Sequence, residues 1–290
     1  MRILLIGKTG QLGSALIKDT LALEHNVFAP SKKELDISDE NTFLKSMKLY
    51  NPDVVINTAA FHNVPLCENE SVKAFQINCL SVKKMAEITN DFNRIFVTFS
   101  TDYVFGGEKK EPYEELDRPN PLQIYGLSKL AGEFAALSYE KSIIIRTCGL
   151  YGNIGARSKG GNFVDNRIEE SKNNKYIEIS NDQTISPTYA GDLSKAVLKL
   201  IAHPLKEYGI YHLINEGYCT WYELTREIFE RMNIDVELRP VDHKGKTGNM
   251  RRPLFSALRN NKARNLGIVL PHWKEGLNVY LKNKYIINNE

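Results

Sequence analysis

Four cysteines in 290 residues, at positions 67, 79, 148 and 219, are too few and too scattered for a disulfide framework. No two of them form a C-x-x-C pair, so a structural zinc site has no ligand set to start from. No apolar run approaches the length of a membrane span. The apolar stretch near the N-terminus is too short for the core of a secretory signal and reads instead as a strand. Charge of one sign is also scarce: 38 basic against 35 acidic residues leave a net charge of +3, and no block of five like charges occurs. A partnership with nucleic acid or with a membrane surface is therefore not expected. Repeats and low-complexity segments are missing too. A cytoplasmic chain with a small-molecule partner remains.

What is present is alternation. Over the first 150 residues short apolar runs at 3–6, 26–29, 54–57, 95–99 and 143–146 alternate with helical segments such as 72–90, the pattern of a parallel, doubly wound α/β sheet. Past residue 152 the rhythm changes. Residues 155–162 hold three glycines and no periodicity, which predicts a loop. Helices are expected over 162–173, 189–202 and 220–232, and extended chain over 209–214 and 236–241. The 189–202 helix and the 209–214 strand are expected to return to the first sheet. This gives a dinucleotide-binding domain of residues 1–152 and 189–215, with a smaller, discontinuous α/β substrate domain of 153–188 and 216–290.

The first strand runs directly into Gly7-Lys-Thr-Gly10-Gln11-Leu12-Gly13, after which a helix is expected. Strand, glycine turn and helix N-terminus together form a cradle for a pyrophosphate. A second feature is Tyr125, four residues before Lys129 in a segment of helical character. That spacing places both side chains on one helix face. A nearby ammonium favours the phenolate, so the sequence predicts a Tyr125 pKa lowered by Lys129. Such a pair suits protonation of a carbonyl that is receiving a hydride. Between the two lies an apolar strand ending in Ser100-Thr101-Asp102-Tyr103. Ser100 and Thr101 point to opposite sides if strand geometry persists, so only one can face the chemistry.

These pieces resemble the extended short-chain dehydrogenase/reductases, and more narrowly the dTDP-4-dehydrorhamnose reductase family. The resemblance runs nearly end to end. It includes Glu34-Leu-Asp36-Ile37, Pro52-Asp-Val-Val-Ile-Asn-Thr-Ala59-Ala60, Arg146-Thr147, Tyr151-Gly152, Asn162-Phe163-Val164, Asp182-Gln183, Ser186-Pro187-Thr188, and Arg252-Pro253 with Ser256. It implies reduction of a 4-keto sugar nucleotide, with dTDP-4-dehydro-L-rhamnose as first choice, in the making of nucleotide sugars for polysaccharides. Tyr125 would be the proton donor, Lys129 would hold the nicotinamide ribose, and Thr101 would bind the carbonyl oxygen. Gly7, Gly10, Gln11, Leu12, Gly13, Ser31, Lys32, Asp36, Ile37, Ala59, Ala60 and His62 would join them around the cofactor. Asp102, Gly149, Asn162, Phe163 and Arg252 would face the substrate.

The second expected strand ends in Pro30-Ser31-Lys32-Lys33 with no acid, which leans toward NADPH, with NADH also admitted. Two departures from the family bear on the substrate. Gly149 stands where relatives carry a tryptophan against the sugar, so a weaker grip or a different sugar is expected. Val64-Pro-Leu-Cys-Glu68 replaces Val-Asp-x-Ala-Glu. Some relatives dimerise around Mg²⁺. A homodimer is admitted here, but no acidic cluster suggests the metal. Two alternatives stay open, an NAD-dependent epimerase of the same superfamily and a non-catalytic regulatory subunit that keeps the fold. A dehydratase is disfavoured, because Asp102 is followed by Tyr103 and not by glutamate.

Overall fold

The computed structural model describes residues 1–154, 161–204, 206–247 and 250–286. The chain begins with β1 (Arg2–Ile6), α1 (Gln11–Ala22), β2 (Asn26–Phe28), α2 (Glu40–Tyr50) and β3 (Val54–Asn57). Short helices α3 (Val64–Asn69) and α4 (Ser71–Phe75) lead through a π-helical turn (Gln76–Leu80) into α5 (Ser81–Asp91). β4 (Ile95–Thr101), α6 (Ile124–Leu137) and β5 (Ser142–Thr147) complete the first half. The second half holds β6 (Leu150–Tyr151), α7 (Phe163–Ser171), β7 (Tyr176–Ser180), β8 (Thr184–Ile185), β9 (Thr188–Tyr189), α8 (Ala190–Ala202) and β10 (Gly209–His212). It closes with β11 (Cys219–Thr220), α9 (Trp221–Met232), β12 (Glu237–Val241), a short hairpin, α10 (Asn261–Asn265) and α11 (Trp273–Leu281).

Six strands make one parallel sheet in the order β10-β5-β4-β3-β1-β2. The α/β class and the return of β10 to this sheet agree with the sequence. Strand side chains alternate between faces. Ile3, Leu5, Ile56, Val97, Ile143 and Ile145 pack on one side against Leu12, Leu16, Leu193 and Val197 of α1 and α8. Leu4, Ile6, Val55, Phe96 and Ile144 pack on the other against Phe43, Met47, Val82 and Met85 of α2 and α5. Both faces are covered, which is why the strands read as unbroken apolar runs and not as alternating ones. Each such buried side chain contributes about 1.5–3 kcal/mol before entropy is counted.

A third cluster gathers Val164, Ile177, Ile179, Leu224, Ile228, Trp273 and Leu277. It continues into Val104, Phe105, Leu130 and Cys148 at the carboxyl edge of the main sheet. The second half is thus packed onto the edge where β4 and β5 end. Its own strands pair only in twos, as β12 with β7, β11 with β8, and β6 with β9. The expected helix over 72–90 is interrupted by the π turn, and Asn162 and Thr220 cap α7 and α9 instead of lying inside them. Both are side chains that bind a free amide of the first turn better than they propagate a helix. Of the expected loop at 155–162, residues 155–160 lie outside the described residues.

Candidate active site

The strand order turns back between β1 and β3, and crevices in open parallel sheets form at the carboxyl edge beside such a point. The glycine turn follows β1 there. Gly7 has φ +88°, and a Cβ on it would lie 2.4 Å from Thr58 Oγ1. A Cβ on Gly13 would lie 2.2 Å from the Gly7 carbonyl oxygen. Glycine at both ends therefore lets α1 start immediately over the turn. Gly10 is the N-cap of α1, supplies no side-chain cap, and is followed by no acid in the first turn. The first amides of α1 are left for a ligand anion. Gln11 reaches from that turn to the Leu150 carbonyl at 3.3 Å, while its Oε1 is buried without a partner. Leu12 is buried in the core beneath. The cradle fits a dinucleotide pyrophosphate.

The other expected cofactor residues lie on the same edge. Ser31, Lys32, Asp36 and Ile37 follow β2, and Ala59, Ala60 and His62 follow β3. Ala59 is fixed by its N–H donating to Asn57 Oδ1 at 3.1 Å. The next turn is fixed by Asn78, which accepts from Phe61 N and donates to the Phe61 carbonyl and to Ser128 Oγ. Asn78 thereby ties the loop after β3 to α6, the helix that carries Tyr125 and Lys129. The N-terminus of α6 is held twice: Gln123 Oε1 accepts from Gly126 N at 2.6 Å and Glu68 Oε1 from Ile124 N at 2.8 Å. A carboxylate at that end also favours the helix dipole. The unusual Val64–Glu68 segment thus has a positioning role.

Tyr125 meets Thr101, and Lys129 lies one turn further along α6. The Thr101 side chain hydrogen-bonds the Tyr125 hydroxyl, and Tyr103 lies edge-on to the Tyr125 ring at 6.2 Å. Thr101 also donates to Asp102 Oδ1 at 3.0 Å, and Ser256 Oγ donates to Asp102 Oδ2 at 2.5 Å. Ser100 faces away, its hydroxyl buried without a partner beside a gap lined by Lys129 and Glu133. The expected lowering of the Tyr125 pKa is not what the structure shows. Burial, and then the Asp102 carboxylate, push it well above the ordinary phenol value. Tyr125 is accordingly a full phenol at neutral pH. Lys129 is itself buried, and desolvation brings its pKa down to about 8 against the opposing pull of Glu133. Glu133 is engaged by Arg146 through two bonds of 2.9 and 2.7 Å, both residues almost fully buried.

The expected substrate residues divide. Arg252 comes close, hydrogen-bonding Tyr103, with its Nε buried and unpartnered. Asp102 is buried, with its carboxylate taken by Ser256 and Thr101. Asn162 is buried too, its amide donating to the Gly152 carbonyl, Asp165 and Tyr280. Phe163 packs at a tilt on Trp221, ring centroids 4.3 Å apart. Gly149 has φ +53°, and a Cβ there would meet Ile185 and Pro187 at 3.0 and 3.2 Å. A side chain at 149 would therefore run into the 185–187 segment. Ser256, Tyr103 and Glu133 carried no assigned role in the sequence. A surface cavity of about 520 Å³ between α9 and β12 contains none of these residues.

The chain as a whole is similar to known proteins. The family model described as RmlD substrate binding domain matches residues 1–286. The chain belongs to this family. It is 36% identical over 284 residues to the spore coat polysaccharide biosynthesis protein SpsK of Bacillus subtilis, covering 98% of each chain. It is 32% identical to the dTDP-4-dehydrorhamnose reductase of Escherichia coli, covering 96% of each. The dTDP-4-dehydrorhamnose reductase of Bacillus anthracis, solved in complex with NADP, superimposes with a TM-score of 0.90 at 34% identity, over 97% of this chain and 99% of that one.

Proposed function

We propose that the chain is an NADPH-dependent reductase of a 4-keto sugar nucleotide, with dTDP-4-dehydro-L-rhamnose as substrate and dTDP-L-rhamnose as product. The observation that carries this reading is the Tyr125 hydroxyl hydrogen-bonded to Thr101, with the buried Lys129 one turn along the same helix face. The reductases of Escherichia coli and Bacillus anthracis support the choice of sugar, and the NADP of the latter supports the cofactor. SpsK supports a place in polysaccharide synthesis. Reduced nicotinamide supplies a hydride for C4 of the sugar. Tyr125 gives its proton to the oxygen as negative charge develops there. Thr101 orients the Tyr125 hydroxyl, and Asp102, held by Ser256, orients Thr101. Lys129 offers its ammonium to the nicotinamide ribose. The unpartnered Nε of Arg252 suits a diphosphate oxygen.

The reading divides the chain into the cofactor unit of 1–152 and 189–215 and the sugar unit of 153–188 and 216–290. It sets the reaction in the cytoplasm. It also takes the chain as a homodimer. Among the described residues no helix is long and apolar enough to cross a membrane. The test of function is a panel of 4-keto sugar nucleotides with NADPH, followed by loss of reduced-nicotinamide absorbance and by identification of the product sugar. Consumption of NADPH with dTDP-4-dehydro-L-rhamnose is expected. If no keto sugar in the panel is reduced, the reading fails.

A further inference from the structure

We propose that Glu34 sets the balance between NADH and NADPH, a step that rests on the nicotinamide reading above. β2 ends at Phe28, and residues 29–31 carry the chain over the carboxyl edge beside the glycine turn. In dinucleotide-binding sheets that edge meets the adenosine ribose. An acid there accepts from a 2′-hydroxyl, whereas hydroxyl and basic groups take a 2′-phosphate. In sequence the position reads Ser31-Lys32-Lys33, without an acid. Folding changes this inventory. Glu34 N and Leu35 N both donate to the Ser31 carbonyl at 3.0 Å, closing a tight turn. The turn brings Glu34 back over Ser31, where its Oε2 accepts the Ser31 N–H at 2.7 Å and its carboxylate also hydrogen-bonds the Ser31 side chain. These bonds, with Lys8 nearby, hold the Glu34 carboxyl below its ordinary range, so it is charged at neutral pH. Lys8 is itself anchored to this edge, donating to the Ala29 carbonyl at 2.6 Å.

The missing acid is thus supplied three residues later. A ribose 2′-hydroxyl can donate to the Glu34 carboxylate and leave the turn intact. A 2′-phosphate has no proton to offer and carries like charge. It reaches the Ser31 N–H only by displacing Glu34, with Lys32 then as counter-charge. The two occupants of Ser31 exclude each other. Glu34 is exposed, so its departure disturbs no core packing. The Glu34-to-Ser31 N–H bond is also half of an S-x-x-E capping arrangement, and by itself it would make Glu34 a turn stabiliser. Glu34→Gln separates the roles, because the amide oxygen still accepts from Ser31 N while the charge is gone.

The experiment is a fluorescence titration of NADH and NADPH, each alone, onto purified wild type, Glu34→Gln and Lys32→Ala, with thermal melts of all three. Glu34→Gln is expected to shift the ratio of the two dissociation constants toward NADPH by about five- to tenfold, from loss of one repulsion and one charge-assisted bond. Lys32→Ala is expected to shift it the other way, with all melts within a few degrees. Equal changes for both cofactors in Glu34→Gln would overturn the proposal, as would a shift toward NADH. Wild type that binds neither cofactor would overturn the nicotinamide reading itself, and the proposal with it.

Discussion

Tyr125 is the residue on which most depends, and its environment defines its role. Burial and the Asp102 carboxylate keep it protonated, so in the proposed reaction it would serve as an acid and not as a phenolate. Tyr125→Phe should leave NADPH binding nearly unchanged and lower turnover by about two to four orders of magnitude. Single-turnover rates beside a cofactor titration would show it, and an unimpaired rate would remove Tyr125 from the chemistry. Gly149 teaches the opposite lesson. Sequence resemblance alone suggested that an indole there would grip the sugar. The left-handed backbone at φ +53° and the contacts with Ile185 and Pro187 oppose any side chain. Gly149→Trp should therefore destabilise the fold, by about 1–2 kcal/mol from the backbone alone, without tightening sugar binding. A denaturation curve and a KM measurement decide this together. Tyr125, Lys129 and Thr101 stand out as candidates in the sequence because they sit in contiguous motifs at the end of a strand and along one helix. Ser256 does not, since it reaches Asp102 from 154 positions away. Glu34 was hidden for a subtler reason, as its contact depends on the turn and not on the identity of the residue directly after β2.

At the scale of the element, α6 organises the site. Gln123 and Glu68 cap it, Asn78 ties it to the loop after β3, and Glu133 fastens it to β5 through Arg146. The sequence showed the helix and the face shared by Tyr125 and Lys129, but not these anchors, three of which come from other segments. The Glu133–Arg146 pair is the costly one. Both groups are nearly without solvent, so removing one charge strands the other. Glu133→Gln should lower stability by about 3–5 kcal/mol, read as a drop in the urea midpoint. A loss within experimental error would mean that Arg146 finds another partner. The same helix predicts a pH dependence. Lys129 has a pKa brought down to about 8, so it is an ammonium below that value and neutral above it. If the ammonium holds the cofactor, NADPH affinity should weaken as pH rises through about 8, and Lys129→Met should flatten that profile. A profile unchanged by the substitution would assign the titration elsewhere.

At the scale of the whole molecule, the two halves differ in how openly the sequence announces them. The parallel sheet is visible because its inner strands, such as β1, β3 and β5, are mostly apolar runs buried on both faces. The second half pairs its strands in twos and buries them against helices, so its cues are short and its boundaries come from tertiary packing. What neither half covers is an apolar face on the outer side of α4, the π turn and α6. Val72 is 84% exposed, Leu80 51%, Leu127 44% and Phe134 60%. These side chains lie on helical segments that pack against each other, and exposed apolar side chains gathered on neighbouring helices suit an association surface. The expected occupant is a second copy of the chain, as in the proposed homodimer. With a two-fold axis the same face would meet itself, and each α6 would then brace the other behind its catalytic side. Phe134→Glu places a charge in the middle of that contact. Light scattering should show wild type as a dimer and the variant as a monomer, with the thermal midpoint lowered only through loss of association. If the wild type runs as a monomer at micromolar concentration, or the variant stays dimeric, this face serves another purpose and the catalytic helix is braced from within one chain alone.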